Sequence, residues 1–280
     1  MEKKFSILIA NYNNEHYLDQ CLESIENQTY SNIEIVIVDD NSSDRSVELI
    51  NKFILKTQKK VVFIKNDSNM GCGYTKARCV ELSSGDICGF LDADDALVPN
   101  AVEKMVLYHE QNDDCSLISS RYYICNKKLK IQYSSRIVNS ANFINYLKCP
   151  RLTHFNTFKR SYYFQSDGIR KDITHGVDQD LCLKMEEVGH ILFIPEVLYL
   201  YRTYSKSISH GKGGQLATFY NFIIRIDACK RRGIPEKEIQ SVYSFVVPQY
   251  GFFLSRIALM LHKVLYFFNK KKNTFNVYKI

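Results

Sequence analysis

Three carboxylates, Asp92, Asp94 and Asp95, directly follow the short apolar run at residues 87–91. A buried strand that ends in such a cluster places like charges side by side, which is costly unless a cation neutralises them. Mg²⁺ and Mn²⁺ are hard cations that prefer oxygen ligands and commonly hold a phosphate-bearing substrate as well. The same residues also fit an ordinary acidic turn, in which Asp95 caps a helix that starts near Pro99.

Short apolar runs alternate with amphipathic segments in the N-terminal part of the chain. The predicted strands are residues 5–10, 33–38, 61–64 and 87–91, and the predicted helices are residues 16–28, 46–55, 75–82 and 100–111. This alternation is typical of βαβ units, so the sequence predicts an α/β fold with a mostly parallel central sheet flanked by helices. Ligands bind beyond the carboxyl ends of the strands in such sheets, where the polar clusters at Asn11, Asp39 and Asp92 meet.

The pattern is less regular in the rest of the chain. The predicted strands there are residues 115–125, 155–158 and 191–194, the last ended by Pro195, and the predicted helices are residues 139–147 and 178–188. Residues 215–230 and 236–268 have a helical pattern and are rich in Phe and Tyr. A Gly-rich hinge at residues 211–214 predicts a boundary between a domain of residues 1–210 and a C-terminal helical extension of residues 211–280.

The composition is that of an ordinary globular protein, with 45% hydrophobic and 24% charged residues in a chain of 280. The net charge of +7 is modest, and its late basic clusters are too local for a nucleic-acid-binding surface. Nine cysteines without a CxxC pair indicate reduced, buried thiols and hence a cytosolic protein. The N-terminus lacks a signal-peptide pattern, and no run of about 18 uncharged apolar residues predicts a transmembrane helix.

Six short motifs follow one another between residue 5 and about residue 210. They are residues 9–13 (IANYN), residues 28–30 (QTY) with 35–44 (IVIVDDNSSD), Asn69 and Gly71 with Ala77 and Arg78, residues 90–95 (FLDADD), residues 177–181 (VDQDL), and Tyr201 and Arg202 with residues 207–209 (SIS). In this order they resemble the inverting glycosyltransferases of family 2, which have the GT-A fold. The resemblance implies transfer of a sugar from a nucleoside diphosphate sugar to a hydroxyl of a glycan or lipid-linked acceptor. The implied setting is the synthesis of a cell-surface polysaccharide or glycolipid.

The resemblance also implies which residues bind the donor. Residues 1–115 are the nucleotide-sugar-binding half and residues 116–210 the acceptor half of the catalytic domain. Asp39 accepts a hydrogen bond from the nucleotide base, which favours UDP because a carboxylate suits the uracil imide. Arg78, assisted by Lys76, contacts the base or the phosphates. The other residues of the implied nucleotide-sugar site are Ala10, Asn11, Tyr12, Asp40, Gly71, Asp92, Ala93 and Asp94, of which Asp92 contacts the ribose or the metal.

The implied cofactor is Mn²⁺ or Mg²⁺, held by Asp94 and Asp95, which neutralises the charge that builds on the departing nucleoside diphosphate. Asp178 matches the general base, which accepts the proton of the acceptor hydroxyl. It lies at the start of a predicted helix, where the helix dipole favours a carboxylate, so an N-cap is the alternative interpretation. Asp180 is interpreted as a structural residue of the same helical turn.

Two positions depart from the family pattern. Val177 replaces the usual Glu before the base, and Tyr204 stands where the family often has His. His154 and His175 precede the acceptor region, so they either line it or are ordinary surface residues. His210 is another imidazole that could stand in for the absent one, although a single His is a weak motif.

Two other functions fit parts of the pattern. A nucleotide-binding GT-A module that has lost catalysis is one, but the presence of both Asp94 and Asp178 argues against it. A nucleotidyltransferase is the other, since it also joins an α/β sheet to metal-binding carboxylates. Such an enzyme usually carries a Gly-rich basic loop after its first strand, whereas this chain has NYNN at residues 11–14.

The C-terminal residues 240–272 combine apolar side chains with lysines. This composition fits a helix in a membrane interface, which would bring the enzyme close to lipid-linked acceptors. It also fits a helix that packs on the catalytic domain or mediates a homodimer, which is the more common role of a Phe-rich helix. The expected location is the cytoplasm, with peripheral contact to the inner face of the membrane as an alternative.

Overall fold

The computed structural model describes residues 2–135, 147, 154–204 and 212–235. The strands of this part are β1 (Phe5–Asn11), β2 (Ile33–Asp39), β3 (Lys60–Lys65), β4 (Ile87–Phe90), β5 (Ala96–Leu97), β6 (Cys115–Cys125), β7 (Ile131–Ser134), β8 (Asn156–Lys159) and β9 (His190–Arg202). The helices are α1 (Leu18–Glu26), α2 (Ser46–Ile54), α3 (Cys72–Leu82), α4 (Ala101–Gln111), α5 (Arg160–Gln165), α6 (Val177–Val188) and α7 (Lys212–Arg231).

The first four strands pair in parallel, in the order β3-β2-β1-β4. Strand β8 is antiparallel to both β4 and β6, and β9 runs parallel to β6. Among the described residues one sheet results, ordered β3-β2-β1-β4-β8-β6-β9-β5 with β7 beside β6. The predicted α/β fold with a central sheet flanked by helices is confirmed, and the second half of the sheet adds antiparallel pairs to the parallel first half.

Both faces of the sheet are buried, because its inner strands are apolar at nearly every position. Leu8 and Val36 point to one face and pack with helices α3, α6 and α7. Ile7 and Ile35 point to the opposite face and pack with helices α1, α2 and α4. Side chains alternate between the two faces along a strand, so a continuous apolar run fills two cores at once.

Strand β9 is longer than the sequence indicates. The predicted strand of residues 191–194 was expected to end at Pro195, but β9 continues to Arg202. Its register with β6 shifts around this position, since Ser119 pairs with Phe193 and Arg121 with Val197. Pro195 therefore lies in a bulge, where its missing N–H costs no hydrogen bond of the ladder.

Other differences concern short elements and the C-terminal part. Strands β5 and β7 and helix α5 span six residues or fewer and were not predicted. Helix α7 begins at Lys212, so most of the predicted hinge at residues 211–214 is helical, and α7 shares a core with α6.

The predicted helix of residues 139–147 and the tail at residues 240–272 lie outside the described residues, apart from residue 147. The helices that are described are too short or too polar to cross a membrane.

Glu34 is a fully buried carboxylate at the amino end of strand β2. It accepts hydrogen bonds from the hydroxyl groups of Ser6 and Ser84, both at 2.7 Å, and from the Ser84 backbone N–H. The Lys4 ammonium lies 2.7 Å from its Oε2 atom. Burial would raise the pKa of Glu34, but these donors outweigh it and lower the pKa from 4.5 to about 2.

We expect Glu34→Gln to lower the free energy of unfolding by about 1–3 kcal/mol at pH 7, because it removes charge-assisted hydrogen bonds from a buried network. The folded pKa lies below the unfolded one, so the carboxylate stabilises the fold above pH 4.5 and loses this effect as the pH falls towards 2. Urea unfolding should therefore show a difference between wild type and Glu34→Gln that shrinks over this range. Glu48→Gln, on the exposed face of α2, is the matched control with little effect. A difference that stays constant down to pH 2 would contradict this role of Glu34.

Candidate active site

The carboxyl ends of β1 and β2 are joined by Asp39, which is fully buried. Asn11 lies beside it in the parallel register and donates from Nδ2 to Asp39 Oδ2 at 2.8 Å. Ser42 donates to the same carboxylate from its backbone N–H (2.8 Å) and its hydroxyl (2.6 Å). Asp39 thus fixes the loop that follows β2 at the edge where the sequence predicted the base pocket.

Asp40 holds the start of helix α3 from the same edge. Its Oδ1 accepts hydrogen bonds from Asn66 Nδ2 (2.9 Å) and the Met70 N–H (2.8 Å), and its Oδ2 accepts one from the Gly71 N–H (2.8 Å). Gly71 has a φ of 88°, a conformation that side-chain-bearing residues rarely adopt. The buried carboxylate and this glycine together turn the chain into α3.

Lys76 projects from α3 between two carboxylates that are far apart in sequence. Its Nζ atom lies 2.7 Å from Asp178 Oδ1 and 3.1 Å from Asp92 Oδ1. Only 6% of the Lys76 side chain is exposed, against 33% for Asp92 and 37% for Asp178. Burial would lower the pKa of Lys76, but the two carboxylates outweigh it and raise that pKa well above its ordinary value.

Asp178 is the second residue of helix α6, and Gly176 rather than Asp178 is the N-cap. The alternative interpretation of Asp178 as the cap is therefore wrong. The carboxylate is partly open to solvent and lies within the first turn, where the helix dipole stabilises negative charge. Asp180 differs from it, because it is fully buried, lies 2.9 Å from Lys184 Nζ and accepts a hydrogen bond from the Arg170 N–H at 3.1 Å.

The turn at residues 92–95 is held from strand β9. Asp95 accepts hydrogen bonds from the Tyr199 hydroxyl (2.8 Å) and the Arg202 N–H (2.7 Å), and Asp94 accepts one from the Tyr204 hydroxyl (2.8 Å). The buried Arg202 guanidinium donates to the Asp94 carbonyl oxygen. Burial and neighbouring carboxylates raise the pKa of both Asp94 and Asp95. Arg202 thus partly offsets the negative charge of the turn.

Two carboxylates of this turn, together with His154 from before strand β8, form a group that fits a divalent cation. Ligand atoms of Asp92, Asp95 and His154 all lie within 4.8 Å of one another. Burial lowers the pKa of His154, which favours the neutral imidazole that binds metals. Carboxylate oxygens are ligands that suit Mg²⁺ and Mn²⁺, and a neutral imidazole nitrogen is a common metal ligand. The sequence predicted Asp94 and Asp95 as ligands, whereas this group joins Asp95 to Asp92 and His154.

The remaining predicted residues lie at the strand ends, at the rim of the site and on helix α3. Ala10 and Ala93 are at the strand ends beside Asn11 and Asp92, and Tyr12 is 48% exposed at the rim. Arg78 is on α3 like Lys76, but it lies two residues further on, and its guanidinium donates to the Tyr74 hydroxyl at 3.4 Å. No hydrogen bond or ion pair within the described residues joins Arg78 to the carboxylates of the site.

Sequence reasoning missed the principal contacts of three residues. His154 was considered for the acceptor region rather than for the carboxylate turn, and it lies in a stretch without a recognisable motif. Arg202 belongs to a motif that was identified, but its hydrogen bond to the turn depends on the pairing of β9 with β6. Lys76 was expected at the base or the phosphates, and nothing in its spacing indicated a bridge to Asp178.

Comparison with known proteins identifies the class. The model of the family described as glycosyl transferase family 2 matches residues 6–169. An uncharacterized glycosyltransferase of Methanocaldococcus jannaschii is 37% identical over 123 residues, covering 44% of this chain and 42% of that protein. Chondroitin synthase of Escherichia coli is 32% identical over 200 residues, covering 69% of this chain and 28% of that protein. The chain thus spans less than half the length of these two relatives.

Solved structures share the fold. TarS 1-349 of S. aureus, crystallised in complex with UDP-GlcNAc, matches with a TM-score of 0.67 at 15% identity, over 88% of this chain and 71% of that one. The mannosyltransferase PcManGT of Pyrobaculum calidifontis, in complex with GDP-Man and Mn²⁺, has a TM-score of 0.62 at 12% identity, over 88% and 70%. The fold is therefore that of the GT-A glycosyltransferases. Because the family match covers more than half of the chain, the protein belongs to glycosyl transferase family 2.

We expect Asp40→Asn to destabilise the protein by about 1–3 kcal/mol, because an amide has one acceptor oxygen in place of two and leaves one of its buried donors unpaired. Hydrogen exchange should quicken most at the N–H groups of Met70 and Gly71, which Asp40 binds. Asp67→Asn, exposed in the same loop, is the matched control. Equal exchange in the two variants would show that Asp40 does not hold this loop.

Proposed function

We propose that the protein transfers a sugar, with inversion, from a UDP-sugar to a hydroxyl of a glycan or lipid-linked acceptor, in a metal-dependent reaction. One observation carries the proposal: Lys76 joins Asp178, the predicted base, to Asp92 of the carboxylate turn. The proposed proton acceptor and the proposed metal-binding turn thus lie on the two sides of one ammonium group. An inverting reaction needs these two groups within reach of a single anomeric carbon.

Asp178 acts as the general base in this proposal. The acceptor hydroxyl attacks the anomeric carbon from the side opposite the diphosphate, and Asp178 takes its proton. Its Oδ1 is bound by Lys76, and its partial exposure lets an acceptor approach from solvent. Lys76 keeps the carboxylate in place without filling both oxygens, so Asp178 retains an acceptor position for the proton.

The donor occupies the edge formed by the ends of β1, β2 and β4. An ionised carboxylate has about four acceptor positions. At Asp39, Asn11 occupies one of these acceptor positions and Ser42 occupies two. One acceptor position is therefore left for the imide N–H of uracil. The Lys76 ammonium lies 3.1 Å from Asp92 and would supply positive charge to a diphosphate bound beside that carboxylate. The complex of TarS with UDP-GlcNAc supports the choice of UDP.

The carboxylates of the turn at residues 92–95 hold the cation. When bound, Mn²⁺ or Mg²⁺ supplies Lewis-acid stabilisation to the departing nucleoside diphosphate. The Mn²⁺ in the PcManGT complex supports a divalent cation as the cofactor. Asp94 and Asp95 are the ligands that the sequence predicted, and Asp95 is held rigidly by Tyr199 and the Arg202 N–H. A rigid turn keeps the ligands in place before the donor arrives, which lowers the cost of binding.

Relatives indicate the pathway in which the reaction belongs. Chondroitin synthase makes a polysaccharide, and its similarity to this chain over 69% of the residues supports a role in polysaccharide or glycolipid synthesis. Within this proposal residues 1–210 form the catalytic unit, with the donor bound by residues 1–115 and the acceptor by residues 116–210. Residues 211–280 are the C-terminal extension, of which residues 240–272 would contact a membrane or a second copy.

Donor binding and turnover separate the proposed roles. Thermal shift with UDP, GDP and dTDP sugars, each with Mn²⁺, should show the largest stabilisation with a UDP-sugar. Asp94→Ala should reduce that stabilisation. Asp178→Asn should bind the donor normally but lower turnover about 10²- to 10⁴-fold, because it loses the general base.

The exposed Asp167→Asn is the matched control for Asp178→Asn, since both replace one carboxylate by an amide. It should change neither donor binding nor turnover. Stabilisation by none of the donors would count against the proposed reaction as a whole. A wild-type rate in Asp178→Asn would instead reject only the assignment of the base.

A further inference from the structure

The imidazole of His154 is enclosed by tyrosines just before strand β8. It stacks on Tyr199 with a centroid distance of 4.7 Å and an interplanar angle of 10°, and on Tyr201 at 5.3 Å and 20°. Tyr122 meets the ring edge-on at 5.9 Å. Three aromatic contacts fix the plane of a ring that lies at the centre of the site.

The ring is fixed, yet its nitrogens have no hydrogen-bond partner in the part of the chain that the structure describes. One nitrogen lies within 4.8 Å of a carboxylate oxygen of Asp92 and one of Asp95. Asp95 is positioned by the Tyr199 hydroxyl, and Tyr199 is also the ring on which His154 stacks. Tyr199 therefore positions both the Asp95 carboxylate and the His154 imidazole. This shared support is typical of residues whose ligand atoms must meet at one point.

We propose that His154 supplies a nitrogen ligand to the divalent cation whose oxygen ligands include Asp92 and Asp95. This inference rests on the proposed metal-dependent function and adds to it the identity of a third ligand. It also bears on the choice of metal. Mg²⁺ is bound through carboxylates, phosphates and water, so an imidazole ligand favours Mn²⁺ over Mg²⁺.

A spectroscopic measurement tests the ligand directly. Mn²⁺ is added to the full chain with UDP, and electron spin-echo envelope modulation is recorded. A coordinated imidazole produces ¹⁴N modulation, which we expect in the wild type and not in His154→Ala. Mn²⁺ affinity, from the signal of free Mn²⁺, should fall on the order of 10-fold or more in that variant. His190→Ala, on an exposed histidine at the start of β9, should keep both the modulation and the affinity.

The outcomes separate this inference from the proposed function. Mn²⁺ bound by the wild type without ¹⁴N modulation would overturn the role of His154 and leave the metal-dependent function standing. Modulation and affinity that persist in His154→Ala would overturn it equally. If the wild type binds no Mn²⁺ with or without UDP, both proposals fail. The wild-type spectrum needs no variant, so it decides the question even if His154→Ala does not fold.

Discussion

The buried ammonium of Lys76 is the charge on which the candidate site depends. It lies between Asp92, at the end of β4, and Asp178, in the first turn of α6, so one side chain connects two parts of the chain. A buried ammonium without carboxylate partners would lose its charge or destabilise the fold. Each of the two aspartates would in turn face the other without compensation if Lys76 were absent. The architecture around the site therefore has to bring α3, β4 and α6 to one point.

Six carboxylates converge on this edge of the sheet, and the structure divides them by their surroundings. Asp39, Asp40 and Asp95 are buried and accept hydrogen bonds from the protein itself, which fixes the loops in which they lie. The remaining three are partly exposed: Asp92, Asp94 and Asp178. The first set gives the edge its shape, although Asp39 and Asp95 are also the proposed contacts of the uracil and the cation. The second set is left to bind a cation or to accept a proton. Identical residue types thus take different roles according to how many protein donors surround them.

The sequence predicted the first half of the fold well, because strands such as β1 and β2 are buried on both faces and read as continuous apolar runs. It also predicted that Asn11 and Asp39 meet, since parallel strands end at one edge. Strand β9 was predicted too short, because Pro195 ends a regular strand and only the bulge opposite β6 lets the pairing continue. The sequence around Pro195 does not show that the pairing with β6 contains this bulge.

The site was predicted less completely than the fold. Asp92, Asp94 and Asp178 were predicted through motifs, which depend on short spacings within one segment. The bridge from Lys76 to Asp178 spans a sequence separation of 102 residues, and the position of His154 depends on Tyr199 and Tyr201 of another strand. Such contacts follow from how the segments pack in three dimensions.

The central claim is a single in-line displacement for which Asp178 is the base. Proton NMR of the sugar released when the enzyme slowly hydrolyses an α-linked UDP-sugar tests it most directly, because water then takes the place of the unidentified acceptor. The account predicts that the β anomer appears first, before it equilibrates in solution, and that Asp178→Asn releases it far more slowly. Initial release of the α anomer, or equal release by the wild type and Asp178→Asn, would contradict it.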